Sequence, residues 1–129
     1  MQDRPTPDDS ERLEPGRAAF NRREYFLAHE LWEEVWREVE DAGRRLFVQG
    51  LIQIAAGLHQ LQRHRSGPAA GLLRKGLEKI SQHRQVSHRR LRTDLLASEV
   101  ARLLVELDSS VAPGADGASA PADFSRLQL

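Results

Sequence analysis

Between Leu13 and Leu107 apolar residues recur at intervals of three and four, the spacing that lines up one side of a helix, and the pattern breaks often enough to predict five helices. A first helix covers about Glu11 to Arg22, with Leu13, Ala18, Ala19 and Phe20 as its apolar positions and Pro15-Gly16 weakening its early turns. Asn21-Arg22-Arg23 is a short turn, and a second helix follows from about Glu24 to Asp41. Ala42-Gly43 closes that helix with a glycine suited to a left-handed C-cap. The third helix, about Arg44 to His64, is apolar on most sides, as a central bundle helix would be. Ser66-Gly67-Pro68 combines turn chemistry with a helix start, and the fourth helix, through about His83, is expected to bury Leu72, Leu73, Leu77 and Ile80. After the basic linker QHRQVSHRR, a fifth helix from about Leu91 to Leu107 carries a wide stripe of Leu95, Leu96, Val100, Leu103, Leu104 and Leu107.

The expected fold is therefore all-α, a compact antiparallel helical bundle of about five helices. A faint repeat supports helical hairpins. A shift of 41 residues sets Phe20 on Leu61, Ala28 on Ala69, Leu31 on Leu72, Trp36 on Leu77 and Val39 on Ile80. Both copies read as helix–short turn–helix, similar to a tetratricopeptide unit, but two copies are too few for a solenoid. Residues 1–10 are expected to be mobile and 11–108 to form the bundle. Residues 109–129, which include the run SSVAPGADGASAPAD, read as a low-complexity, disordered tail, whose closing FSRLQL is not expected to dock.

Composition narrows the chemistry. With 129 residues the chain suffices for one domain with a core, and the absence of cysteine excludes disulfides, thiolate nucleophiles and cysteine metal sites. The start is polar and acidic, unlike a signal peptide, and the longest apolar run, LFVQGLIQIAAGL, is interrupted by two glutamines and too short to span a membrane. The expectation is a soluble, cytoplasmic protein. A formal net charge of zero conceals 12 acids against 6 bases in residues 1–41, and 9 Arg or Lys, 3 His and one acid between Arg63 and Arg92. Such polarity attracts an anionic partner, or pairs the halves of the chain, or pairs two copies of it.

Both tryptophans lie in EYFLAHELWEEVW, Glu24 to Trp36. On a helical wheel Tyr25, Leu27, Ala28, Leu31, Trp32, Val35, Trp36 and Val39 fill one arc, with Glu30, Glu34, Arg37 and Glu38 opposite. His29 and Glu33, four residues apart on the same face, sit at the border beside Trp36. They form either half of a metal or catalytic site or a hydrogen-bonded pair in a helix seam. In the third helix Gln49, Gln53, Ala56 and Gln60 make a polar ridge, with Gly50 and Gly57 beside it permitting close approach of another helix. Buried amides need partners, and His29 and Glu33 are the candidates across the seam. His59 lies elsewhere on the wheel, between Val48 and Ile52, which weakens a His29–Glu33–His59 triad. The basic positions Arg74, Lys75, Lys79, Arg84, Arg89, Arg90 and Arg92 have no interleaved aromatic residue for base stacking, so a solvated or self-paired face is favoured over nucleic acid. HELWE lacks the second histidine of a zincin motif, and no phosphate loop, GxSxG elbow or dinucleotide fingerprint occurs.

The words FNRREYFLAHELWEEVW and FVQGLIQIAAGLHQLQRHRSGPAAGLLRKGLEKI resemble the small bacterial and archaeal proteins grouped as domain of unknown function 309. The resemblance covers roughly residues 17–80 and implies an all-α bundle. Some members carry the label "predicted metal-dependent hydrolase". Carried over by position, the family's characteristic polar and aromatic residues fall on His29, Glu30, Glu33, Trp36, Gln53 and His59. Trp32 stands where leucine is expected, and Gln60 falls where relatives vary. Two function classes follow. One is a metal-dependent hydrolase in which His29 and Glu33, with His59, bind zinc, manganese or iron, while Gln49, Gln53, Trp36 and Tyr25 line the substrate seam. The other is a non-enzymatic module, expected to be a homodimer, in which the same residues set packing or partner choice. Nucleic-acid or phosphate binding through the arginine-rich segment is the third and weakest reading.

Overall fold

The computed structural model describes residues 9–83, 91–110 and 129. They form five helices and no strand: α1 (Ser10–Asn21), α2 (Tyr25–Glu38), α3 (Ala42–Gln62), α4 (Ser66–Gln82) and α5 (Thr93–Ser110). Each helix packs chiefly on its neighbours in sequence, so α1·α2 and α3·α4 are antiparallel hairpins, α2·α3 joins them, and α5 lies against α4. The core runs through all five, from Leu13 and Phe20 through Trp32, Phe47, Leu51, Leu58 and Leu73 to Leu96 and Val100.

The 41-residue repeat extends to the backbone of the hairpin turns. In the first turn the Arg23 N–H donates to the Phe20 carbonyl and the Glu24 N–H to that of Ala19, each at 2.9 Å. In the second, 41 residues on, His64 donates to Leu61 at 3.0 Å and Arg65 to Gln60 at 2.9 Å. This is the Schellman closure, and its left-handed residue is Arg23 at φ 66° in one copy and His64 at φ 59° in the other. Glycine usually occupies that position, because a Cβ there crowds the backbone. Replacing His64 by glycine is expected to raise the unfolding free energy by roughly 0.5–1 kcal/mol, read as a shift of the urea midpoint at constant slope.

Helix contacts repeat as well. Gly16 of α1 faces the Trp32 indole of α2, where a Cβ would overlap the ring, and the positions 41 further on, Gly57 and Leu73, meet in the same way across α3·α4. Gly50 and Gly76 bring α3 and α4 closest: a Cβ on Gly76 would lie 2.7 Å from the Gly50 carbonyl oxygen. The close approach expected at Gly50 and Gly57 is thus made by α4. At the other end of the fold Asp9, 1% exposed, receives Arg44 through both carboxylate oxygens, at 2.9 and 2.5 Å, tying the start of α1 to the start of α3.

Several expectations need correction. Gly43 does not cap α2, which ends at Glu38; Val39 is already extended at ψ 119°. Ala42 and Gly43 instead open α3, with Asp41 as N-cap accepting from the Arg44 N–H at 2.9 Å. Leu27 is 41% and Leu95 46% exposed, because each stripe is wider than the neighbouring helix can cover. Leu72 and Leu77 are only half-buried, leaving Leu73 and Ile80 as the core leucine and isoleucine of α4. The linker positions 84–90 and most of the two terminal segments lie outside the described residues. Within those segments Asp9 and Ser10 are buried, α5 continues to Ser110, and Leu129 docks on α1. The Leu129 N–H donates to Asn21 Oδ1 at 2.8 Å, and its carbonyl oxygen accepts from Arg17 Nε at 2.6 Å.

Candidate functional site

The antiparallel register of α2 and α3 positions the seam. Gln62 donates its side-chain N–H to the Arg23 carbonyl at 2.9 Å, holding the end of α3 beside the start of α2. At the opposite end the Arg45 guanidinium lies 4.2 Å from the centre of the Trp36 ring, a cation–π contact. Between these ties the border residues of α2 meet the outer side of α3.

His29 and Glu33 pair as the i, i+4 spacing requires, with Nε2 and Oε1 3.1 Å apart and both side chains partly exposed. Glu33 is also reached by Arg37, at 3.5 Å. The Phe26 ring, itself 52% exposed, packs against both imidazoles, 5.7 Å centre to centre from His29 and 5.2 Å from His59. His59 therefore belongs to the seam, joined to it through an aromatic ring. Phe26 has no role in the sequence analysis; its place one turn before His29 is the signal that could have found it.

The glutamine ridge is as expected: Gln49, Gln53, Ala56 and Gln60 are half-buried along one side of α3. The amides do not meet His29. Gln53 Oε1, Gln60 Oε1 and His29 Nδ1 are withdrawn from solvent with no hydrogen-bond partner among the described residues. Glu30 is exposed on the outer side of α2. Tyr25 lies away from the seam in the core, edge-on to Phe20 with centres 5.1 Å apart.

Burial pushes the Tyr25 hydroxyl up to about 12, against a smaller opposing pull from the Arg23 charge. The unfolded chain gives up this proton near 10, so the folded state holds the extra proton between about pH 10 and 12, and stability falls across that window. The expected loss is on the order of 2–3 kcal/mol, and Tyr25→Phe removes that part of the alkaline decline. Unfolding curves of the two proteins between pH 9 and 12 check it.

A metal fits these residues poorly. Catalytic zinc sites use three protein ligands, whereas His29 and Glu33 are two donors on one helix already turned towards each other. Among the described residues no three His, Asp or Glu side chains converge as a ligand set. The basic face is thinner than the sequence suggests, because Arg74 is paired with Asp108 of α5, and positions 84, 89 and 90 lie outside the described residues. No described helix is long and apolar enough to cross a membrane.

The fold and seam define a small all-α protein made of a duplicated helical hairpin plus one closing helix, with a polar strip between its second and third helices. The profile of the family described as Domain of unknown function (DUF309) matches residues 13–72, from α1 into α4, so over this segment the chain is similar to that family. No curated protein and no solved structure matches it.

Proposed function

We propose that the chain is a non-enzymatic interaction module whose docking face is the α2–α3 seam. The observation that carries this reading is the half-exposed Phe26 ring, packed on His29 and His59 where the half-buried glutamine ridge of α3 runs along the same seam. An exposed aromatic ring supplies apolar contact area, and the half-buried amides of the ridge supply donors and acceptors around it. A face of this composition is built to be covered.

One observation favours the hydrolase reading: the 3.1 Å His29–Glu33 pair, with His59 on the same aromatic ring. Elemental analysis separates the two readings. Protein purified without chelator or histidine tag, run beside His29→Ala, is expected to carry no stoichiometric metal. Stoichiometric zinc, manganese or iron that disappears in the variant would overturn the interaction reading and make His29 a ligand.

A further inference from the structure

Resting on that reading, the partner can be named from the charges that flank the seam. The repeat makes α2 and α4 equivalent helices, yet their outward charges are inverted. Glu33 corresponds to Arg74, Glu34 to Lys75, Arg37 to Glu78 and Glu38 to Lys79. Within one chain α3 stands between α2 and α4, and no ion pair joins the two among the described residues. Among the described residues Lys75 and Lys79, the only lysines in the sequence, have no carboxylate partner, and Glu30 has no basic one.

The three helices present one common face. Its centre is the α3 ridge of Gln49, Gln53, Ala56 and Gln60. On one flank lies the α2 edge with Phe26, Glu30 and Glu33. On the other lies the α4 edge with Pro68, Leu72, Lys75 and Lys79, where the Lys79 Cβ abuts Gly50 at 3.0 Å from the point a Cβ there would occupy.

We infer that this face binds a second copy of the chain, about a two-fold axis parallel to α3, so that the acidic edge of each copy covers the basic edge of the other. A two-fold axis perpendicular to α3, in the plane of the face, would set α2 on α2 and α4 on α4 and bring like charges together. The parallel axis sets α2 on α4 and keeps residues at equal height along α3. The contacts of Phe26 with His59 and of Trp36 with Arg45 put Glu33 near the level of Gly50, which is the level of Lys79. One turn along, Glu30 comes level with Lys75, and two turns along Phe26 comes level with Leu72. Along the axis the two α3 helices run parallel. Their facing residues are spaced four, three and four apart, the a/d spacing of a parallel two-stranded seam. The half-buried Gln53 and Gln60 then face their own counterparts across the axis.

Charge exchange tests the pairing and its geometry together. The natural chain should sediment at twice its 14.6 kDa at micromolar concentration. Lys75→Glu/Lys79→Glu and Glu30→Lys/Glu33→Lys each place like charges on both edges, and each should weaken self-association by ~100-fold or more. Mixed in equal amounts, the two variants should restore a stable heterodimer, which also shows that both are folded. A monomeric natural chain overturns the inference, as do variants that remain dimeric alone or stay monomeric when mixed. A metal-free monomer would remove the second copy as partner and leave the interaction reading intact. Metal lost on His29→Ala would remove that reading itself.

Discussion

Alanine at Gly76 is expected to lower the unfolding free energy by roughly 2–4 kcal/mol, while the same substitution at Gly71, five residues earlier in α4, raises it by about 0.5–1 kcal/mol. Both glycines lie inside a helix, so both gain the same backbone preference from alanine, about 1 kcal/mol at most. They differ in what the new methyl group meets. At Gly71 nothing lies within 4 Å. At Gly76 the Cβ would sit 2.6 Å from Ile54 Cγ1, 2.7 Å from the Gly50 carbonyl oxygen and 3.0 Å from the Ile54 backbone nitrogen. A side-chain tip can swing away, but two of these three atoms are backbone of the central helix. Relief therefore requires α3 and α4 to separate along their whole contact, which costs more than the helix preference returns. Urea denaturation of the two single variants beside the natural chain measures both signs at once. Equal shifts at Gly71 and Gly76 would show that α3 and α4 do not approach through their glycines.

Trp32→Ala carries the other large effect, an expected loss of about 4 kcal/mol, enough to unfold a marginal domain. Trp32 is fully buried, tilted against Phe20 with ring centres 5.7 Å apart, and its Nε1–H donates to the Leu13 carbonyl at 3.0 Å. Gly16 leaves the gap in α1 that admits the indole. Truncation opens a cavity where α1 and α2 meet and leaves the Leu13 carbonyl with one bond fewer. Trp32→Phe keeps most of the apolar contact and drops the hydrogen bond, so it should lose about half as much. The ordering natural chain, Trp32→Phe, Trp32→Ala in thermal midpoint checks it, with natural chain and Trp32→Ala expected to differ by more than 10 °C on the usual scaling for a domain of this size. A Trp32→Ala protein melting within a few degrees of the natural chain would place the tryptophan outside the core.

The two glycines and the tryptophan show how far local pattern reaches. Gly50 and Gly57 could be placed beside the glutamine ridge by the wheel alone, and their service in helix contact follows from lacking a side chain. That the approaching helix would be α4 and not α2 depended on which side of α3 each neighbour takes. Trp32 could be read as a core position, yet its hydrogen bond to Leu13 depends on the notch at Gly16. Gly43 misled for a related reason. A glycine after a helix looks like a cap, but Asp41 two residues earlier offers a carboxylate to the next helix, and that bond starts α3 where a left-handed closure of α2 was expected. The left-handed residues turned out to be Arg23 and His64, which local preference disfavours and the Schellman bonds enforce.

The sequence alone determined the five helices, the duplicated hairpin, the pairing of His29 with Glu33 and the half-buried glutamine ridge. Each is a local or periodic property, and a helix converts spacing directly into a shared face. The tertiary structure decided that Phe26 links His29 to His59, that Tyr25 belongs to the core, that Gln53 and Gln60 find no partner across the seam, and that α3 separates the acidic helix from the basic one. Those outcomes rest on how helices cross and at what register, which glycine gaps and turn closures far apart in the chain settle together and no single helical wheel contains.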